Sequence, residues 1–237
     1  MSQQGFDNSY FENYLYFDSK KKTPYENKHL RYMGNACIPY AMYDLYNILF
    51  DSKPETYVDL GCGTGEEMAF YKNKGCRVQG CDFSNYVLER INPSVSKFII
   101  NQDSVSFMDS YRNDADIVWE NTLQYLNDKD FDSLMKLIKE KTSQSSILGV
   151  LYDETERQHP YRKQVHEIKW WESKLEEYGF ISSKKVAEKI GINIGGFVRD
   201  ISPYVFVKNT SLLKEHKDYD FRISRFNEYL KAQNQIV

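Results

Sequence analysis

Residues 57–67 read YVDLGCGTGEE, and the fold turns on this stretch. Tyr57 to Leu60 suit the end of a buried strand. Gly61, Gly63 and Gly65 follow, three glycines in five positions, and Glu66 and Glu67 then open a helix. Glycine permits tight turns and close approach of a ligand to the main chain. A strand that ends in such a loop before a helix presents N–H groups at the crevice above a sheet. The pyrophosphate pattern G-x-G-x-x-G needs a glycine at position 66, where this chain has Glu66. Two adjacent acids would also repel a phosphate. The loop therefore suits a nucleoside without a pyrophosphate.

Outward from the loop the chain alternates strand and helix. ETYVDLG reads as a strand and EEMAFYKNK as a helix stopped by Gly75, a residue suited to the position after a helix end. CRVQGCD is a strand, and SNYVLERI a helix with Ser84 as cap and Pro93 beyond its end. KFIINQD and ADIVWENTL are strands, FDSLMKLIKEK a helix and SILGVLYD a strand. Repeated alternation implies parallel pairing with helices on both faces. EIKWWESKLEEYGF is a further helix, with Ile168, Trp171, Leu175 and Tyr178 on one stripe and Gly179 ending it. FISSKKVA and PYVFVK then read as two strands, joined through Gly191–Gly196 by a connection too short and glycine-rich for a crossover helix. Antiparallel pairing of these last two strands follows. The expected fold is a doubly wound α/β domain with a mostly parallel seven-stranded sheet and an antiparallel final pair.

Both ends lie outside this alternation. In residues 1–50, Phe6, Tyr10, Tyr14 and Phe17 recur at helical spacing. A second helix puts Ile38, Ala41, Leu45 and Ile48 on one face and ends near Asp51–Pro54. Packing on the sheet is the main expectation for this aromatic, helical cap, and a lid over a ligand is the alternative. Residues 51–208 form the core. Residues 209–237 are polar, with a weak helical pattern through Phe221, Ile223, Phe226 and Leu230.

The 237 residues carry 31 basic and 34 acidic side chains, net −3, a poor electrostatic footprint for nucleic acid. From Thr155 onward 15 basic residues face 11 acidic ones, so the C-terminal third is mildly basic. Cys37, Cys62, Cys76 and Cys81 show neither zinc spacing nor a CxxC pair, so no metal is expected. Reduced thiols and a cytoplasmic location are the expectation. The N-terminal MSQQGFDNSY lacks an apolar signal core, and no apolar run approaches the roughly 18–20 residues of a membrane span.

Asp59-Leu60-Gly61-Cys62-Gly63-Thr64-Gly65 resembles the D/E-x-G-x-G-x-G motif of class I S-adenosylmethionine-dependent methyltransferases. Three later matches fall in chain order at strand ends. Asp82 stands 21 residues past Gly61, where a carboxylate accepts from ribose hydroxyls, and Phe83 beside it offers an apolar face to adenine. Asp103-Ser104 resembles the family's acidic position for the adenine amino group. DIVWENTLQYL, residues 116–126, resembles its fourth-strand motif, which implies that Glu120 and Asn121 edge the methionine part. The resemblance covers about residues 55–208 and implies S-adenosyl-L-methionine as cofactor and S-adenosyl-L-homocysteine as product. Arg31 is a candidate for the methionine carboxylate, with a surface ion pair as the alternative.

Methyl transfer from a sulfonium is an in-line displacement, so the protein positions and, for some acceptors, deprotonates. Glu120-Asn121-Thr122-Leu123 stands where enzymes of exocyclic base nitrogens resemble one another in D/N-P-P-Y, and no cysteine follows a proline as base C5 chemistry requires. DNA is therefore not the expected substrate, and a small-molecule acceptor, O- or N-methylated, is preferred. His159, after the fifth strand, is the candidate general base, with His166 seven residues on; Arg162 and Lys163 offer charge to an anionic substrate. An ordinary loop histidine is the alternative for His159. Rival functions are an RNA or protein methyltransferase, an aminopropyl transferase on the same fold, or a cofactor-binding partner subunit without activity. The sequence allows a monomer or a homodimer.

Overall fold

The computed structural model of the chain describes residues 37–152, 161–189 and 205–208. Seven strands form one sheet in the order β3-β2-β1-β4-β5-β7-β6. Strands β1 (Thr56–Leu60), β2 (Arg77–Cys81), β3 (Ile99–Ile100), β4 (Ala115–Glu120) and β5 (Thr142–Val150) pair in parallel. Strand β7 (Val205–Val207) runs antiparallel between β5 and β6 (Ile181–Ser182). The mostly parallel sheet with an antiparallel final pair is the expected one. The order reverses between β1 and β4, so the crevice above their carboxyl ends is the switch point where such sheets take ligands.

Side-chain alternation along the strands feeds two cores. Tyr57, Ile117, Trp119, Ile147, Val205 and Val207 pack on one face with helix α1 (Cys37–Phe50) and helix α2 (Glu66–Asn73). Val58, Leu60, Val118, Leu148, Val150 and Phe206 pack on the other, under α4 (Ser104–Ser110), α5 (Asp128–Lys141) and α6 (Ile168–Glu177). All five residues of β1 are buried, as a central parallel strand covered on both faces requires. Helix α1 packs on the sheet with Ile38, Leu45 and Ile48 buried, and Tyr71 of α2 stacks on Tyr57 of β1 at 3.7 Å. The aromatic segment before it lies outside the described residues, as do residues 209–237.

Local chemistry explains the helices. Glu66 and Glu67 occupy the first turn of α2, where the helix dipole favours acids, and Gly75 at φ +92° ends the segment. Asn127 caps α5 by accepting from the Asp130 N–H, and Phe131, Leu134, Met135 and Ile138 form its buried stripe. Cys62, Cys76 and Cys81 are buried free thiols.

Four elements differ from the sequence reading. SNYVLERI contains a single turn, α3 (Asn85–Leu88), and KFIINQD supplies only the two residues of edge strand β3 after a 3₁₀ turn. FISSKKVA is not one strand: pairing stops at Ser182, and α7 (Ser183–Lys189) follows. Serine starts helices readily, and Lys184, Lys185, Glu188 and Lys189 are good helix formers. The helix thus replaces the second half of the segment read as a strand, while the connection Gly191–Gly196 lies outside the described residues. The fourth difference is α4, absent from the sequence reading, which Asp103 caps by accepting from the Val105 and Ser106 N–H groups.

Candidate cofactor site

The site is built where β1, β2, β3 and β4 end. Gly61, Gly63 and Gly65 have φ of +75°, +55° and +81°, so all three require the left-handed region. Their side-chain space differs. A Cβ on Gly61 would stand 2.8 Å from the Thr122 methyl, and one on Gly65 2.8 Å from Val95 and 2.9 Å from Ile99. A Cβ on Gly63 would meet nothing within 4 Å. The outer two glycines let the loop pack on the protein, and the middle one faces open space.

The loop is held from below and from the side. The Gly61 and Cys62 N–H groups both donate to the Cys81 carbonyl at the end of β2. Asn92 donates its N–H to the Thr64 carbonyl and its side-chain amide to Glu66 Oε1 at 3.1 Å, tying loop and helix start together. Asp82 accepts from the Gly63 N–H at 3.1 Å through one oxygen and from the Ser84 N–H at 2.8 Å through the other. Burial pushes its carboxyl above the ordinary aspartate value, against these backbone hydrogen bonds. Asp82 thus braces the loop, and Phe83 beside it is half-buried.

Asp59 is buried and accepts from the Tyr57 hydroxyl at 3.1 Å, beneath the loop. The Cys62 side chain is buried as well, and desolvation first, then the nearby Asp59 and Asp82, holds its thiol well above the usual range. Cys62 brings its backbone to the loop rather than a reactive sulfur.

Glu120 and Ser104 lie in a buried polar chain. Glu120 is fully buried; it accepts from the Thr122 N–H at 2.6 Å, the Leu123 N–H at 2.9 Å and the Thr122 hydroxyl. A hydroxyl has one proton, so Thr122 donates it to Glu120 and accepts from Ser104 at 2.9 Å. Burial raises the Glu120 carboxyl to about 7, even against these three donors. Glu120 therefore shapes the turn after β4, and Thr122 presses its methyl toward Gly61. Asn121, between them, points its amide nitrogen at the Gly61 carbonyl at 3.4 Å, and its Oδ1 is buried without a hydrogen-bond partner. Gln102 Oε1, after β3, is buried in the same condition. Asp103 gives Oδ1 to its helix cap and Oδ2 to the Ser106 hydroxyl at 2.7 Å. Burial works to raise its pKa, but the Ser106 and Val105 hydrogen bonds prevail and hold it below the ordinary value.

Asp59, Gly61, Cys62, Gly63, Asp82, Phe83, Asp103, Ser104 and Glu120 thus gather at one sheet edge. Arg31 and His159 lie outside the described residues. Thr122 and Asn92 escaped the sequence reading, because neither has a spacing signal and both act through loop hydrogen bonds.

The chain is thus a doubly wound α/β domain with a left-handed glycine turn at its switch point. Residues 58–143 match the family model described as "Methyltransferase domain". Over those residues the chain is similar to a methyltransferase domain. Among solved structures it resembles a SAM-dependent methyltransferase from Archaeoglobus fulgidus at 19% identity and TM-score 0.51, covering 78% of this chain and 98% of that one. It also resembles the plantazolicin methyltransferase BamL, in complex with a triazolic desmethylPZN analog and SAH (14%, 0.54, 99% and 89%). A third neighbour is magnesium protoporphyrin IX methyltransferase from Synechocystis PCC 6803 with bound SAM (16%, 0.50, 76% and 85%). At these identities the likeness concerns the fold. The chain spans 57% of the length of another neighbour, the plantazolicin methyltransferase BpumL. No curated protein matches the sequence. No described helix is long and apolar enough to cross a membrane, and no metal-binding cluster occurs among the described residues.

Proposed function

We propose that the protein binds S-adenosyl-L-methionine at the glycine loop and transfers its methyl group to a small molecule. The observation that carries this reading is the open space over Gly63, whose N–H is held by Asp82, with Phe83, Gln102, Asp103 and Asn121 just past the ends of the neighbouring strands β2, β3 and β4. Asp82 would receive the ribose hydroxyls, Phe83 the adenine face, and Asp103 with Gln102 Oε1 the adenine amino group. Asn121 Oδ1, without a protein donor, is suited to the methionine ammonium, a role better fitted to it than to buried Glu120. Arg31 remains the candidate for the methionine carboxylate.

The bound cofactor supplies an electrophilic methyl carbon on a sulfonium. The chain's own part is to fix the acceptor in line and to keep water out. The small-molecule class rests on the net charge of −3 and on Glu120-Asn121-Thr122-Leu123 in place of a base-methylating motif. Solved structures with TM-scores of at least 0.5 include enzymes named for plantazolicin and magnesium protoporphyrin IX, which is compatible with that class.

The test is mass spectrometry of the purified protein for copurifying S-adenosylmethionine or its demethylated product, followed by transfer of labelled methyl to small-molecule extracts. Label entering only RNA or protein would replace the small-molecule acceptor with a macromolecular one.

A further inference from the structure

The turn after β4 holds a carboxylate whose proton can be added or removed by turning hydroxyl groups alone. Glu120 is fully buried; the Thr122 and Leu123 N–H groups donate to it, and so does the Thr122 hydroxyl. While Glu120 is ionised, the protons run one way: Ser104 donates to Thr122 at 2.9 Å, and Thr122 donates to Glu120. A protonated Glu120 must itself donate, and of its three partners only the Thr122 hydroxyl can accept. The Thr122 proton then turns to Ser104, and the Ser104 proton turns toward Cys81 Sγ at 4.0 Å, a weak acceptor. Two hydroxyl rotations exchange a buried charge for a buried proton.

This carboxylate stands against the glycine loop. Leu60, the residue before Gly61, is its register partner on β1. The Thr122 methyl fills the space that a Cβ on Gly61 would need. Asn121, between Glu120 and Thr122, donates its N–H to the Leu60 carbonyl at 3.0 Å. The titratable groups on the neighbouring elements are acids: Asp59 of β1, on the opposite face with Tyr57, Cys81 and Asp82 at the end of β2, and Asp103 before α4. Tyr125 lies in the turn itself and Tyr152 follows β5. The nearest segment with cations is 161–164, which meets the turn at the Gln124 carbonyl; there Lys163 is exposed and Arg162 half-buried. Burial, opposed by the Thr122 and Leu123 hydrogen bonds, brings the Glu120 carboxyl to about 7, and no charged group is among the causes. A positive charge arriving from outside the chain is what tips such a group toward its ionised form.

We propose that Glu120 determines how the site tells the sulfonium cofactor from its thioether product, standing ionised while the sulfonium is bound and holding a proton once the methyl group has gone. The proposal rests on the S-adenosylmethionine reading of the glycine loop. The two nucleosides share adenosine, ammonium and carboxylate, and differ by one methyl group and its positive charge. Contacts to the shared parts do not separate them by charge; a buried carboxylate without a cation of its own does. In transfer the carbon–sulfur electron pair stays on sulfur, the site loses one positive charge, and a proton from solvent goes to Glu120 in compensation. Linkage fixes the sign: a ligand that favours the ionised carboxylate gains affinity as pH rises through about 7 and levels off above it, and the uncharged thioether gains less. Thr122 and Ser104 are positioning residues, since they supply the hydrogen bonds of either state.

Calorimetry of the full chain with each nucleoside at about pH 6, 7 and 8, in two buffers of different ionisation enthalpy, reads affinity and proton exchange together. The affinity ratio should move roughly tenfold toward S-adenosylmethionine over that range, the equivalent of about one pKa unit. S-adenosylmethionine should also release more protons on binding than S-adenosylhomocysteine does. In Glu120→Gln, checked for native circular dichroism, the movement should fall to what the amino groups of the free nucleosides contribute by their own titration. The parent protein gives a second reading for which no variant is required. With glutamate ¹³C-labelled at the side-chain carboxyl, one NMR signal should titrate near neutral pH with S-adenosylhomocysteine and about one unit lower with S-adenosylmethionine. Absence of heat with both nucleosides overturns the cofactor reading itself. Binding of both with the same pH dependence of the ratio in parent and Glu120→Gln, or a carboxyl that titrates alike with both ligands, overturns the proposal and leaves the cofactor reading standing.

Discussion

Replacing Glu120 with glutamine isolates the cost of the buried charge under the turn after β4. Burial raises this carboxyl from an ordinary 4.5 to about 7, despite three hydrogen bonds that favour the ionised form. The folded protein then holds a proton that the unfolded chain releases at lower pH. Stability from this group is fully present below about pH 4.5, falls as pH rises, and levels off once the folded carboxyl ionises above about 7. A shift of about 2.5 units at 1.36 kcal/mol each corresponds to about 3 kcal/mol, of which about 2.5 kcal/mol falls between pH 5 and 8. Urea unfolding of both proteins at several pH values measures it. Glutamine loses some stability outright, because its amide cannot accept from all three donors. The stability difference between the variants should nevertheless move by about 2–3 kcal/mol in favour of Glu120→Gln from pH 5 to 8. A difference that stays constant with pH would mean that Glu120 is already ionised throughout, and that the account of its burial is mistaken.

The other predictions follow the geometry of the loop. Asp82→Ala should weaken S-adenosylhomocysteine binding by roughly 1–3 kcal/mol in calorimetry, by removing the proposed ribose acceptor and the brace on the Gly63 N–H. Gly65→Ala should destabilise the fold by roughly 2–4 kcal/mol in urea unfolding, because its Cβ combines a left-handed backbone with collisions at Val95 and Ile99. Gly63→Ala should cost only the backbone term of roughly 1–2 kcal/mol in stability, yet weaken S-adenosylhomocysteine by tenfold or more, since its methyl group enters the open space. Asp103→Ala should remove about 1 kcal/mol of helix capping. Because its pKa is depressed, that stability is present above the ordinary aspartate range and is lost as pH falls through the folded value, as acid unfolding would register.

The sheet was legible because its signals are local. Val58 and Leu60 before three glycines, and Gly75 and Gly179 after apolar stripes, mark boundaries by backbone requirement alone, and the structure gives these glycines positive φ. The short edge elements were not legible: Ile99 and Ile100 read as the middle of a strand, but only two residues find a partner on β2. Asp103 shows why site roles blur. One carboxylate satisfies both a family position and an N-cap, and only the second left a hydrogen-bond trace in the fold. Ser104, Thr122 and Glu120 form a chain through contacts 18 residues and 2 residues apart, a pairing with no periodicity to find. Gln164 gave no signal either, since its amide partners Leu126 and Asp128 lie 38 and 36 residues away along the chain.

The central claim is that the loop at residues 61–65 holds S-adenosylmethionine. Isothermal titration of the full chain with S-adenosylhomocysteine, beside Gly63→Val checked for native circular dichroism, tests it most directly. The account predicts one site per chain in the parent protein and no measurable heat in the folded variant. Absence of heat in the parent at millimolar nucleoside, or equal affinity in folded Gly63→Val, would contradict it.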